Sequence, residues 1–251
     1  MCSRSASLAL LLSLAAIPLR ADTFADVKAA LAALRGTAPI SAAVEVQVTR
    51  KSSGRFANQQ FATSVAFDTT HDANGLQLRF PPALIARMDT EAREHEADPN
   101  KPTPTRNTID EIQANEVAGD LDFAERLARL LRIATVVSES RGMLGAKPVR
   151  ILVLKLTPKL PKEATSIFNV KFTQDRLTVW VGEDNIPVAA DRARKGTAGF
   201  LFLRGEMTDH QAWSFTRHGD RLVVGRYEGS FLGSGFGQKG EGKTVQTITV
   251  R

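Results

Sequence analysis

The sequence contains only one cysteine, Cys2, among its 251 residues. Cys2 lies within the first 21 residues, which are predicted to form a cleaved signal peptide, so the rest of the chain can form no disulfide bond and no thiolate site. Histidine is also sparse: there are four, and no two have the spacing of a zinc-protease helix. The sequence therefore predicts neither thiol chemistry nor a metal site.

The sequence also lacks an apolar run long enough to cross a bilayer. Its longest such run, Leu8–Leu19, is shorter than the roughly 20 residues that a membrane-spanning helix needs. Arg4 supplies a positive charge before this run, and small Ala21 provides a cleavage position before Asp22. These features predict a signal peptide over residues 1–21 and a periplasmic or secreted protein without a transmembrane segment.

Charge of one sign is not concentrated anywhere in the chain. The net charge of +6 includes Arg4 and Arg20, so the chain from Asp22 onward carries +4. Because acidic residues are interspersed among the basic ones, we expect no nucleic-acid binding. The mild positive charge allows peripheral contact with an anionic membrane surface.

The first part of the chain after the signal peptide predicts one helix followed by strands. Apolar residues recur at helical spacing over Thr23–Arg35, where Asp22 or Thr23 can act as the N-cap. Strict alternation around Val44–Thr49 then predicts a strand. Further strands are expected at 55–68 and 76–80, with turns at 51–54 and 72–75.

The middle of the chain is predicted to be helical and the C-terminal part to return to strands. Residues 83–96 favour a helix, 98–106 a Pro- and Thr-rich linker, and a second helical stretch begins near Asn107 and pauses at Gly119. Short strands follow from Lys147 onward. We predict an α+β fold: a curved antiparallel sheet of about nine strands, forming a half-open barrel with helices on one face. It is expected to be one domain over 22–251 with a helical insertion at about 82–142.

Three catalytic patterns occur in the sequence, and none has its required context. Residues 237–244 match the Walker A pattern, but a strand pattern follows where a helix is needed. Ser214, His218 and Asp220 contain the letters of a hydrolytic triad, yet His218 and Asp220 flank a predicted tight turn. Glu91 and His95 are interpreted as a solvated helix face. We therefore predict a protein that is not an enzyme and holds no cofactor or metal.

Several short segments resemble a known family. The amphipathic helix before Gly36, the strand Val44–Thr49, the polar turn ending in Gly54 and the segment Leu177–Val188 resemble the periplasmic lipoprotein carriers of LolA type and the related half-barrels of LolB and RseB. This resemblance implies a curved antiparallel sheet covered on one side by helices. It also implies an apolar cavity between them for acyl chains or another lipophilic ligand.

The leading hypothesis is therefore an exported, non-enzymatic protein that binds a hydrophobic ligand, such as a lipid or a lipoprotein acyl chain. Side chains in the predicted strands are the candidates for lining its cavity: Val46, Phe67, Leu78, Val179 and Trp180. Trp213 is interpreted as core or cavity lining. The alternative is a cell-envelope protein-protein interaction module without a cavity, which uses an exposed strand edge or the helix face of Arg126, Arg129 and Arg132. A hydrolase whose catalytic residues are distant in sequence is a third interpretation.

Overall fold

A computed structural model describes residues 22–34, 36–54, 59–157, 169–200, 203–235 and 237–251. The predicted signal peptide, residues 1–21, lies outside them. The described residues form five helices and ten strands, which confirms the α+β class. The helices are α1 (Thr23–Ala33), α2 (Pro82–Ala97), α3 (Pro104–Glu111), α4 (Ala114–Leu121) and α5 (Phe123–Arg132). The strands are β1 (Ile40–Gly54), β2 (Gln59–Asp72), β3 (Gly75–Arg79), β4 (Ala134–Leu144), β5 (Lys147–Leu156), β6 (Asn169–Val181), β7 (Pro187–Phe200), β8 (Leu203–His218), β9 (Arg221–Gly235) and β10 (Gln238–Val250).

All ten strands join one curved antiparallel sheet. Their order is β3-β2-β1-β10-β9-β8-β7-β6-β5-β4. The first and last strands of the described chain pair directly, so that Ala42 faces Val250 and Val48 faces Thr244. Since β3 and β4 lie at opposite ends of this order, the sheet is not closed. The prediction of about nine strands is roughly consistent with these ten, although one of them was not predicted as a strand.

The missing strand is β4, which the sequence assigned to the helical insertion. The helices end at Arg132, ten residues before the predicted end of that insertion, and β4 starts at Ala134. Strand β4 forms the edge of the sheet, and almost all of its side chains are exposed, so neither face of this strand is buried. An edge strand need not alternate between apolar and polar residues, so its sequence carries only a weak strand signal.

Strand β1 is longer than predicted, and the expected turn at residues 51–54 is wrong. Lys51 pairs with Glu241 and Gly54 pairs with Gln238, so β1 continues through these polar residues. The hydrogen bonds between strands join backbone N–H and C=O groups, so they can form whether the side chains are polar or apolar. Residues 55–58, the predicted start of the second strand, lie outside the described residues.

Helix α1 begins where the sequence predicted, since the Asp22 carboxylate accepts hydrogen bonds from the backbone N–H groups of Phe24 (3.1 Å) and Ala25 (3.2 Å). This is the usual N-cap arrangement. Val27 and Leu31 of α1 are buried in the core. The helix stops at Ala33, two residues before the predicted end.

The central helices break at positions other than the predicted pause. Gly119 lies inside α4, and the breaks fall at 112–113 and at Asp122. The expected linker at 98–106 is also shortened, because α3 begins at Pro104 and the backbone N–H of Thr105 donates to Glu91 of α2 (2.9 Å). Tertiary contacts of this kind are not encoded in local propensity.

Helix α5 anchors the helical layer on the sheet. Phe123, Leu127 and Leu131 are four residues apart and completely buried, whereas Arg129 and Arg132 face outward. The Phe123 ring contacts Trp213 and Phe215 of β8, with ring centroids 5.4 and 5.0 Å apart. The core therefore lies between this helix and the face of the sheet that the helices cover.

A polar cavity between the sheet and the helices

A cavity of about 290 Å³ lies between the curved sheet and the helical layer. Its floor comes from β1, β8, β9 and β10, and its roof comes from α3, α4 and the start of α5. The floor residues are Val46, Val48, Arg50, Gln211, Trp213, Tyr227, Thr244 and Gln246, and the roof residues are Thr108, Glu111, Ile112, Gln113, Glu116, Val117, Asp120 and Arg126. Most of these side chains are polar, unlike the apolar cavity that the family resemblance implied.

An apolar surface nevertheless occupies one part of the cavity wall. Val46 and Val48 are two residues apart on β1 and therefore point to the same face. Val117 of α4 and Trp213 of β8 lie on the same cavity, and all four side chains are buried. This surface can contact a short aliphatic or aromatic group.

Asp120 is the most strongly perturbed acid of this cavity. Its side chain is buried, accepts a hydrogen bond from the Gln246 amide (2.8 Å) and lies 3.4 Å from Arg126. Burial raises the pKa of Asp120 from 3.8 to about 6, and the nearby carboxylate of Glu116 adds to this rise. Arg126 and Gln246 oppose the shift without cancelling it.

The charges around the cavity do not balance. Arg50 of β1 pairs with Glu111 of α3 (2.6 Å), and this ion pair also joins the helical layer to the sheet. Arg126 is the partner of Asp120, whereas Glu116 has no ion pair within the described chain. Three carboxylates and two guanidinium groups line the cavity, which leaves an excess of one negative charge when all are ionised.

Thr108 has an unsatisfied hydroxyl group at the cavity. The residue is completely buried, and its Oγ1 has no hydrogen-bond partner among the described residues. A buried polar atom without a partner costs about 1–3 kcal/mol, so such atoms are uncommon unless water or a ligand satisfies them. The Thr108 hydroxyl is therefore free to form a hydrogen bond with water or a ligand in the cavity.

Tyr227 contributes a second hydroxyl to the cavity. Burial raises the pKa of this phenol, and Asp209 adds to the rise, so the group stays protonated at neutral pH. The ring lies against Gly229, where a Cβ atom would be 2.2 Å from the Tyr227 hydroxyl oxygen. Glycine at this position thus permits the ring to lie along the strand and reach the cavity.

The five residues that the sequence singled out do not form one site. Val46 lines the sheet-helix cavity, while Phe67 is buried against Phe80 beside β3 and borders a more open depression. Leu78 is half-buried against the core, and Val179 is fully buried on β6. Trp180 follows Val179 in the same strand, so the two point to opposite faces of the sheet.

Most of the polar cavity residues were not predicted from the sequence. Arg126 was expected on one helix face with Arg129 and Arg132 as a contact surface for a partner, but it turns toward Asp120. Thr108, Asp120 and Gln246 carry no motif, and Asp120 and Gln246 are 126 residues apart. Two sequence predictions fall in the cavity wall: Val46 as a cavity candidate and Trp213 as core or cavity lining.

The rejected catalytic patterns lack the required geometry. Residues 238–244 belong to β10, so no helix follows the Walker-like segment as a phosphate loop requires. Ser214 and His218 both lie in β8, four residues and about 13 Å apart. The described residues contain no group of three or more His, Cys, Asp or Glu side chains that could hold a metal ion.

Among the described residues, no helix is long and apolar enough to span a membrane.

In the comparisons with known proteins, no family model matches this chain, and no curated protein sequence matches it.

The pH dependence of stability tests the environment of Asp120. Since its pKa is about 6 in the folded protein and 3.8 ordinarily, the folded state holds this proton more tightly, and ionisation destabilises it as pH rises. Wild type is therefore expected to lose about 2–3 kcal/mol of unfolding free energy relative to Asp120→Asn as the pH rises from about 4 to about 7. Urea unfolding of both proteins at several pH values measures the difference in their free energies of unfolding. If Asp120 titrates normally, this difference does not change with pH.

Proposed function

We propose that this protein binds a small amphipathic ligand in the cavity between the sheet and the helices. The observation that carries the proposal is the buried, unpartnered hydroxyl of Thr108 on the wall of a 290 Å³ cavity. A volume of this size lies at the lower limit of about 300 Å³ for ligand pockets. It can hold one short alkyl or acyl chain or a ring, and it excludes a whole lipid with several chains.

The apolar part of the ligand would contact Val46, Val48, Val117 and Trp213. Each buried methylene group contributes about 0.8 kcal/mol, so a chain of a few carbons supplies useful affinity. The polar end would face Asp120 and Glu116, with hydrogen bonds to the hydroxyl groups of Thr108 and Tyr227.

The charge of the cavity favours a cationic polar end, such as an organic ammonium group. Glu116 is the carboxylate without an ion pair within the described chain, and it lies on the same helix as Asp120. An added ammonium group would balance the excess negative charge, and Tyr227 can contact it through its ring face. A carboxylate ligand would be repelled by the same groups.

Three ligands of equal alkyl length test this proposal: an alkylammonium ion, the corresponding alcohol and the corresponding carboxylate. Binding is followed by tryptophan fluorescence in Trp180→Phe, a variant that leaves Trp213 as the only tryptophan. We expect saturable binding, with affinity falling from ammonium to alcohol to carboxylate by about tenfold at each step. Glu116→Gln should reduce the ammonium preference and leave alcohol binding unchanged.

The possible failures of this experiment have different meanings. If none of the three ligands binds to protein that is folded by circular dichroism, the cavity is not a site for alkyl ligands. If all bind equally, or the carboxylate binds best, the cavity binds ligands but the assignment of a cationic end is wrong.

Replacing Thr108 by valine separates ligand binding from stability. Valine has nearly the shape of threonine and removes only the unsatisfied hydroxyl, so the free protein is expected to be unchanged or up to about 1 kcal/mol more stable. Ammonium binding is expected to weaken about five- to tenfold through loss of one hydrogen bond. Urea unfolding and the fluorescence titration measure the two effects, and a loss of stability above 1 kcal/mol would show that the hydroxyl already has a partner.

Export and carrier activity form the wider context of this proposal. The signal peptide would be removed just before Asp22, the residue that caps α1, and the protein would act in the periplasm or outside the cell. A half-barrel carrier of LolA type, which accepts one acyl chain of a lipid or lipoprotein, is consistent with the curved sheet and its helical cover. N-terminal sequencing of protein recovered from the envelope fraction tests the cleavage position.

A second candidate function is interaction with another envelope protein. The arginine face of α5 supports it weakly, because Arg126 turns toward the cavity and Arg129 is already paired with Glu125 (2.6 Å). The open edge strand β4 supports it more strongly, since four of its large apolar side chains are exposed.

A further inference from the structure

Strand β4 is a long sheet edge that no other part of the described chain covers. Its partner on one side is β5, and it is the last strand in the order of the sheet. Its exposed apolar side chains are Val136, Val137, Met143 and Leu144, with exposed fractions of 41, 63, 60 and 40%. Such an edge is a template for another strand unless proline, lysine or a covering loop blocks it, and β4 contains neither proline nor lysine.

The sequence of β4 is complementary to itself about Ser140. If two copies pair antiparallel with Ser140 facing Ser140, Ser138 faces Gly142 of the other copy, and residues 143–144 lie beside the bulged segment 136–137 of the other copy. This register therefore brings the exposed apolar residues at each end of the strand close to those at the opposite end of the strand in a second copy.

The charges of β4 obey the same symmetry. Glu139 and Arg141 are one residue on either side of Ser140, so each would face the oppositely charged residue of the second copy, giving two cross-strand ion pairs. Among the described residues, Arg141 has no ion pair, and the Glu139 carboxylate accepts a hydrogen bond from the Thr23 hydroxyl alone. The bulge of β4 lies at residue 137, outside the five central residues 138–142.

We propose that β4 pairs with β4 of a second copy of this chain, in antiparallel register about Ser140, and forms a twofold-symmetric dimer with a continuous sheet. A closed twofold arrangement uses the same patch on both subunits, which a self-complementary strand provides. The interface lies at the far end of the strand order from β1 and β10, so it leaves the cavity accessible. This proposal is independent of the ligand.

Cysteine cross-linking tests the register directly. In a Cys2→Ser background, Ser140→Cys places two thiols opposite each other, and we expect a disulfide-linked dimer on mild oxidation. Ser138→Cys is the matched control, because it changes the same residue type on the same exposed strand. In this register the two copies of residue 138 lie about 14 Å apart, too far for a disulfide.

Charge reversal tests the pairing without a covalent bond. Glu139→Arg places arginine opposite arginine twice, so it is expected to weaken self-association at least about tenfold. Adding Arg141→Glu restores both ion pairs and is expected to return the dissociation constant to within about threefold of wild type. Both variants lose the hydrogen bond from Thr23, so the double variant controls for that loss. Sedimentation equilibrium gives the dissociation constants.

Three results would overturn the proposal. One is wild-type protein that stays monomeric at every concentration studied, which would leave the edge for a different partner. Another is equal cross-linking of Ser138→Cys and Ser140→Cys, because it would show that the two strands meet without a defined register. The last is a dimer whose dissociation constant does not change with Glu139→Arg.

Discussion

Replacing Phe123 by alanine is expected to lower the free energy of unfolding by about 3–5 kcal/mol. Phe123 is completely buried at the start of α5 and contacts two aromatic rings of β8, Trp213 and Phe215. Its removal would open a space between the helical layer and the sheet that packed aromatic neighbours cannot easily fill. Guanidinium chloride unfolding measures the change.

Phe231→Ala is the matched control for this experiment. It deletes the same atoms from β9, where the ring is 41% exposed and its main polar contact is the Arg50 guanidinium, 5.3 Å from its centre. A loss of about 1 kcal/mol or less is expected. If Phe123→Ala costs no more than Phe231→Ala, α5 does not anchor the helical layer on the sheet.

Replacing Asp175 by asparagine is expected to destabilise the protein by about 3–5 kcal/mol. Asp175 of β6 binds Arg192 of β7 through two hydrogen bonds of 2.8 and 2.7 Å, and only 3% of the Asp175 side chain is exposed. Asparagine keeps the shape but leaves the largely buried guanidinium without its counter-charge. Urea unfolding at neutral pH measures the loss.

Two further variants distinguish the loss of an ion pair from the cost of leaving a buried charge unpaired. Asp175→Leu combined with Arg192→Met removes both charges and is expected to be far less destabilising than the single change, because no buried charge remains unpaired. Glu125→Gln breaks the exposed pair with Arg129 on α5 and is expected to cost less than about 1 kcal/mol. Equal losses in Asp175→Asn and Glu125→Gln would contradict the distinction between buried and exposed pairs.

Elements with a strong local pattern could be predicted closely, and elements without one could not. Helix α1 has both a cap at Asp22 and apolar residues at helical spacing, and its start was correct. Strand β4 has neither regular alternation nor a buried face, and it was assigned to the helical insertion. The break at Asp122 and the helical conformation of Gly119 depend on how α4 and α5 pack, which local propensity does not describe.

The residues of the cavity could be predicted from the sequence less well than the fold. Val46 could be proposed because alternation shows which residues of a strand share a face. The polar residues of the cavity come from α3, α4, α5 and four strands, and no spacing in the sequence connects them. Their selection depends on which strand pairs with which and where each helix crosses the sheet.

The α+β class, the amphipathic first helix and the alternating strands could be predicted from the sequence, because they follow from periods of 3.6 and 2 residues along the chain. Only the tertiary structure decided that the space under the helices is polar, since Asp120 meets Gln246 across 126 residues of chain. The fold also makes β4 an edge strand within the part of the chain that the structure describes. Both outcomes depend on the register and order of ten strands, and contacts of that range leave no periodic trace in the sequence.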